Sequence, residues 1–84
     1  MPKRLLIIDP VSTNRIHLSS LLESAQYRVE SAAEIAELDE RKLQGTDLVL
    51  LNVHRENPSR ILQELNGVKA LSDVPVLGIC LLYT

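Results

Sequence analysis

Apolar residues in this chain form short runs, and amphipathic stretches lie between these runs. Three runs, at residues 5–8, 47–53 and 74–82, are almost continuously apolar and include several β-branched side chains. Runs of this length and composition predict strands that are buried on both faces of a sheet. The segment "YRVESA", which begins at Tyr27, alternates weakly and is more polar. It predicts a short second strand at an edge of the sheet.

The stretches between these strands predict three helices. After the first strand, Ser12 or Thr13 is a candidate N-cap for a helix with apolar positions at helical spacing. The segment "AAEIAELDERKLQG" is rich in helix formers and ends at Gly45, a residue type common at helix C-termini. Pro58 predicts the start of a third helix, because proline is favoured at the first helical position. The residues predicted to face the core are Leu18, Leu21, Leu22, Ala25, Ile35, Leu38, Leu43, Ile61, Leu62, Leu65 and Val68.

The predicted order of elements is β-α-β-α-β-α-β, which is typical of a parallel sheet covered by helices. In an open sheet of this kind, ligands bind outside the carboxyl ends of the strands, where the strand order reverses. This rule brings together Asp9 and Pro10, which follow the first strand, with Asn52 and His54, at the end of the third. Cys80, late in the fourth strand, lies near the same edge. The sequence therefore predicts a candidate site built from residues that are distant along the chain.

The composition restricts the class of protein. Its 84 residues correspond to one small domain, and with 2% aromatic residues the core must be aliphatic. A net charge of −2 without a clustered basic face argues against nucleic-acid binding, and a single cysteine excludes an internal disulfide. No apolar run is long enough for a membrane span or a signal peptide. We therefore expect a soluble cytoplasmic protein.

Two segments, "LLIIDPVSTNRIHLSSLLESAQYRVESA" and "DLVLLN", resemble the receiver domain of two-component response regulators. The resemblance runs from about Lys3 to the end, and the "NRI" after the first strand is most similar to receivers attached to diguanylate cyclase outputs. It implies an α/β, flavodoxin-like, doubly wound parallel sheet with strand order 2-1-3-4. It also implies that residues 1–84 form a partial receiver-like domain, which ends after the fourth strand and lacks the family's last helix, strand and helix.

The residues that carry receiver chemistry are mostly replaced in this chain. In the family, two acidic residues after the first strand and an aspartate ending the third hold Mg²⁺, and that aspartate accepts phosphate from a histidine kinase. Matched residue by residue, only Asp9 keeps its type, while Pro10 replaces the second acid and Asn52 replaces the phosphoacceptor. Cys80 takes the place of the Ser/Thr at the end of the fourth strand. The family's lysine after the fifth strand has no counterpart.

These replacements predict a degenerate receiver that is not phosphorylated at the usual position. Mg²⁺ prefers carboxylate ligands, so one carboxylate beside a neutral amide should bind it poorly. We expect no catalytic residue in this chain and no cofactor. If the pocket retains activity, Mg²⁺ is the cofactor, with Asp9, Asn52 and the backbone of His54 as weak candidate ligands. An enzymatic output such as a diguanylate cyclase would lie outside these residues.

Other interpretations of the same residues stay open. The chain also fits an active Mg²⁺-dependent receiver whose acceptor aspartate was mutated to Asn52, or a small flavodoxin-like domain without a signalling role. Asn52 also fits a residue that caps its own loop, and Asp9 one that caps the following helix. Cys80 fits a small buried apolar residue.

The end after the fourth strand predicts protein contacts. The outer edge of that strand would be unpaired, and an exposed apolar edge strand promotes association. We therefore expect a homodimer that covers this edge or, as the resemblance implies, contacts with a histidine kinase or an output domain. We expect no contact of this chain with nucleic acid or membrane.

Overall fold

The computed structural model describes residues 2–52 and 58–79, and it contains one four-stranded parallel sheet. Neighbouring strands pair in the order β2-β1-β3-β4, and all three pairings are parallel. Both the predicted strand order and the edge position of the second strand are therefore confirmed. The strands are β1 (Arg4–Ile8), β2 (Arg28–Ala32), β3 (Leu48–Asn52) and β4 (Val76–Ile79).

Helices connect consecutive strands in the α/β arrangement that the sequence predicts. They are α1 (Ser12–Ser24), α2 (Glu40–Leu43) and α3 (Pro58–Asn66), with 3₁₀ turns at Ile35–Glu37 and Lys69–Leu71. No helix in the described ranges is long and apolar enough to cross a membrane.

The prediction of one continuous helix through "AAEIAELDERKLQG" is wrong. A 3₁₀ turn ends before Leu38, whose backbone is extended at φ −78° and ψ 133°. Asp39 is extended as well, and its carboxylate accepts a hydrogen bond of 3.0 Å from the backbone N–H of Arg41. Aspartate favours such capping geometry over the helix interior, so the helix restarts at α2.

The predicted cap at the start of α1 is also wrong. Ser12 and Thr13 lie inside the helix, and the N-cap position is Val11, which makes no side-chain capping bond. The backbone N–H of Val11 instead donates to Asp9 Oδ1 at 2.8 Å. An aspartate carboxylate that accepts from the backbone two residues later forms a tight local turn. Asp9 therefore directs the chain from β1 into α1.

A core of leucine, isoleucine and valine lies on the face of the sheet that α2 and the second 3₁₀ turn help to cover. Leu43 and Leu65, both predicted to face inward, are each 1% exposed. Full burial of such a side chain stabilises the fold by about 1.5–3 kcal/mol. The buried members of this core are Leu6, Ile8, Leu43, Val49, Leu51, Leu65 and Leu71, and Ile35, Leu38, Ile61 and Val68 pack against it.

The opposite face of the sheet is covered less completely. Strand alternation directs Leu5, Ile7 and Leu50 to that face, and α1 packs there against β1 and β2. Leu77, the register partner of Leu50 on β4, is 52% exposed. Leu21 of α1, predicted to be buried, is 67% exposed. The prediction of a continuous buried stripe on α1 is therefore only partly right.

Candidate functional site

Asp9 and Asn52 meet at the carboxyl edge of the sheet. The parallel register pairs Ile8 of β1 with Leu51 of β3. The residues that follow this pair, Asp9 and Asn52, therefore lie at the same position along the strand direction. Asp9 follows β1 directly, and Asn52 is the last residue of β3. The side-chain amide of Asn52 donates a hydrogen bond of 2.8 Å from Nδ2 to Asp9 Oδ2. The two residues, 43 positions apart in sequence, thus form one contact.

The Asp9 carboxylate is fully buried and surrounded by donors. Its exposed fraction is 0%, and Oδ1 accepts from the backbone N–H of Val11. Oδ2 accepts from the side-chain amides of both Asn14, at 3.0 Å, and Asn52. A buried charge is tolerated when hydrogen bonds replace its hydration, and those to a charged group are the stronger kind. Three N–H groups take that role here.

The backbone of Asp9 is fixed as firmly as its side chain. Its N–H donates to the carbonyl oxygen of Ala32, at the end of β2, at 3.0 Å. Its carbonyl oxygen accepts a hydrogen bond of 2.6 Å from the guanidinium of Arg15 on α1. Asp9 is therefore held by β2, β3 and α1 at once, which makes it the central residue of the site.

Asn14 belongs to the site but was not among the residues singled out from the sequence. Asn14 is 2% exposed, and its Nδ2 faces Asp9. Its Oδ1 is buried and has no hydrogen-bond partner within the described part of the chain. Asn14 presents its NH₂ group to Asp9, so its oxygen points away from the carboxylate, and a buried oxygen left without a partner costs about 1–3 kcal/mol. The signal in the sequence was the "N" of "NRI", five residues after Asp9.

Of the other predicted site residues, the structure describes only Pro10, which makes no hydrogen bond to this cluster. Pro10 is exposed, and together with Asn52 it lines a cleft of about 370 Å³ at the same edge. At the same cleft, Arg60 and Glu64 lie 3.4 Å apart as an ion pair within α3. His54 and Cys80 lie outside the described residues.

Among the described residues, those at this edge are a poor set of ligands for a Mg²⁺ ion. Mg²⁺ takes oxygen ligands in octahedral geometry, normally with carboxylates among them. The described site offers one carboxylate, Asp9, and N–H groups already donate to both of its oxygens, one to Oδ1 and two to Oδ2. The amides of Asn14 and Asn52 direct nitrogen, not oxygen, toward it. Within residues 2–52 and 58–79, no cluster of three or more His, Cys, Asp or Glu side chains is placed to hold a metal ion.

Comparisons of the chain with protein-family models, with curated proteins and with solved structures found no significant match. The fold class, α/β with a parallel sheet in the order 2-1-3-4, therefore rests on the strand pairings themselves.

Proposed function

We propose that this chain is a receiver-like module of flavodoxin-like, doubly wound topology that works in cytoplasmic signal transduction without phosphorylation at Asn52. It regulates an output domain outside these residues through protein contacts. The order β2-β1-β3-β4 supports the proposal, because it brings the ends of β1 and β3 together. Asp9 and Asn52 stand at those ends, the positions that the receiver resemblance assigns to the acidic pocket and to the phosphoacceptor.

The observation that carries the proposal is the 2.8 Å hydrogen bond from Asn52 Nδ2 to Asp9 Oδ2. A neutral amide that donates to the buried carboxylate stabilises it without a cation. An amide nitrogen is not the charged oxygen nucleophile that forms an acyl phosphate. The Asp9–Asn52 pair therefore supports a receiver that keeps the architecture of the pocket but has lost its reaction.

A module without the phosphorylation reaction has to act through its surfaces, and the outer edge of β4 is the first candidate. The backbone N–H of Val49 donates to the carbonyl oxygen of Pro75 at 2.9 Å. In a parallel ladder, alternate residues face the neighbouring strand, so the backbone groups of Val76 and Gly78 face away from β3. An edge of this kind pairs with an added strand from a partner. The half-exposed Leu77 would add apolar contact beside it.

The reaction test is incubation with acetyl phosphate and Mg²⁺, followed by intact-mass spectrometry. The wild-type chain is expected to gain no phosphoryl group. Asn52→Asp is the informative variant, since it restores a carboxylate at the position beside Asp9. Asn66→Asp is its matched control, because it makes the same chemical change at an exposed residue that ends α3.

The outcomes separate the interpretations. Phosphorylation of Asn52→Asp but not of the control would support descent from an active receiver and a single lost group. Phosphorylation of the wild-type chain would overturn the proposal.

A further inference from the structure

Helix α1 presents a largely serine-lined groove beside the site at Asp9, with which it shares Arg15. Ile16 is 66% exposed at the wall of this groove, which has a volume of about 710 Å³. Glu23 and Arg15 lie at the same groove, and Ser31 of β2 borders it. The small side chains that line it are Ser12, Ser19, Ser20, Ser24 and Ser31.

Arg15, Ser19 and Glu23 follow one another at intervals of four residues, so they form a single ridge along α1. The two charges are placed symmetrically about Ser19, about 12 Å apart along the helix axis at 1.5 Å per residue. Their signs oppose the helix dipole, since the cation lies toward the N-terminus and Glu23 lies next to the last helical residue. The first turn of α1 has no acidic residue and the last turn no basic residue.

Neither charge has an opposite charge within ion-pair distance inside the described ranges. The ion pair found there joins Arg60 and Glu64. A charge arrangement that is unfavourable within one helix becomes favourable when a second helix lies antiparallel beside it. Glu23 of each helix then lies near Arg15 of the other helix. The two helix dipoles point in opposite directions, which is a favourable arrangement.

We infer that α1 binds a second copy of this chain, with the two helices antiparallel about a two-fold axis at Ser19. In this arrangement Arg15 of each copy lies opposite Glu23 of the other, so the ion pair forms twice. Ser19 faces its own counterpart, and small residues at a crossing allow a short interaxial distance. The exposed Ile16 is covered by the second copy.

Arg15 connects this surface with the site. One guanidinium nitrogen already donates to the carbonyl oxygen of Asp9 at 2.6 Å. A guanidinium carries five N–H donors, so the others remain for a carboxylate across the groove.

Sedimentation equilibrium of the 84-residue chain tests the inference. The wild type is expected to show a reversible, concentration-dependent monomer–dimer equilibrium. Glu23→Arg leaves only cations on the ridge, and Arg15→Glu leaves only anions. Each variant alone should dissociate at least about tenfold more readily, because two pairs become two repulsions. An equimolar mixture of the two should restore association, since each Arg then faces a Glu.

A matched control keeps the charge change and moves it away from α1. Glu30→Arg makes the same substitution on β2, where the register with Leu6 places it on the other face of the sheet. This variant should dimerise like the wild type. Leu77→Lys, at the edge of β4, should also leave the α1 dimer unchanged. These variants therefore test the two surfaces independently. Evidence against a dimer through α1 would not count against the proposed contact at β4, and evidence against the β4 contact would not count against the α1 dimer.

A second variant keeps the test decisive if Arg15→Glu does not fold by circular dichroism. Ser19→Arg puts two cations together on the two-fold axis and should abolish association. A wild type that stays monomeric at every concentration would overturn the inference. So would a dimer that Glu23→Arg and Ser19→Arg leave intact.

Discussion

The side-chain amide of Asn52 donates a 2.8 Å hydrogen bond to the buried carboxylate of Asp9. This contact joins the ends of β1 and β3, the two strands between which the chain reverses its direction of winding across the sheet. Asn14 donates to the same oxygen from α1. At the edge where an open α/β sheet normally binds its ligand, the protein's own amides thus donate to the buried carboxylate.

Replacement of Asn52 by aspartate should destabilise the fold. Asn52→Asp removes a donor from Asp9 and places a second carboxylate beside it, with an expected loss of about 2–4 kcal/mol in the free energy of unfolding. Urea denaturation measures the change. Added Mg²⁺ should recover part of the loss, because a cation between two carboxylates relieves their repulsion.

The matched control for this change is Asn66→Asp, at an exposed position. It should lower the free energy of unfolding by less than about 1 kcal/mol, because the new carboxylate lies exposed at the C-terminus of α3. If Asn52→Asp were as stable as the wild type without Mg²⁺, the amide would not be what stabilises Asp9.

Two substitutions of Asn14 should differ sharply. Asn14→Ala deletes the donor to Asp9 but also Oδ1, which has no partner among the described residues, so the expected loss is only about 1–2 kcal/mol. Asn14→Asp keeps the shape and brings a second negative charge next to Asp9, so the loss should be clearly larger. Thermal melts of the two variants compare them directly. Equal losses would mean that the amide of Asn14 contributes by packing alone.

The aliphatic core predicts a contrast within one helix. Leu65 of α3 is 1% exposed, and Leu65→Ala should cost about 2–5 kcal/mol because it leaves a cavity. Leu62, three residues earlier on the same helix, is 40% exposed. Leu62→Ala should cost less than about 1 kcal/mol. Chemical denaturation of both variants checks the contrast, and similar losses would contradict the placement of α3.

The end of α1 predicts a stabilising substitution. Gln26 has φ 73°, a left-handed conformation that favours glycine. The N–H of Gln26 donates to the carbonyl of Glu23, and that of Tyr27 to the carbonyl of Leu22, which is the pattern of a Schellman motif. Gln26→Gly should raise the free energy of unfolding by about 0.5–1 kcal/mol.

The control for this substitution is Gln44→Gly. Gln44 follows α2 at φ −60°, a conformation that any residue adopts, so glycine there should give no gain. A thermal melt of each variant measures the difference. A loss of stability in Gln26→Gly would contradict the backbone geometry at the end of α1.

Apolar patterning was enough to predict the strands and a parallel sheet, whereas the strand order 2-1-3-4 was predicted from the resemblance to receivers. Continuous apolar runs such as Leu5–Ile8 predicted the buried strands, and the polar character of the segment from Tyr27 predicted the edge strand. The position of Asp9 next to Asn52 depended on that strand order, because only the ends of neighbouring parallel strands meet. The spacing of apolar residues and the polarity of each segment can be read directly from a sequence.

Other features depended on competition between local geometries. Asp39 stands in a segment of good helix formers, yet its side chain caps a new turn and divides the predicted helix. Asn14 lies in α1, whose buried face was predicted from its leucines. A buried amide is favourable there only because Asp9 is placed to accept its hydrogen bond. The exposure of Leu21 and Leu77 depends on what covers one face of the sheet, and periodicity does not reveal that.

The most direct test of the account is an NMR titration of the wild-type chain with Mg²⁺ and then with beryllofluoride, which mimics an aspartyl phosphate. The backbone amide of Val11 is the reporter, because it donates to Asp9 Oδ1. We predict that its resonance stays in place in the wild type. A saturable shift of the Val11 resonance in the wild-type chain would show that the Asp9–Asn52 pair still accepts a cation and an acyl-phosphate mimic, which would contradict the account.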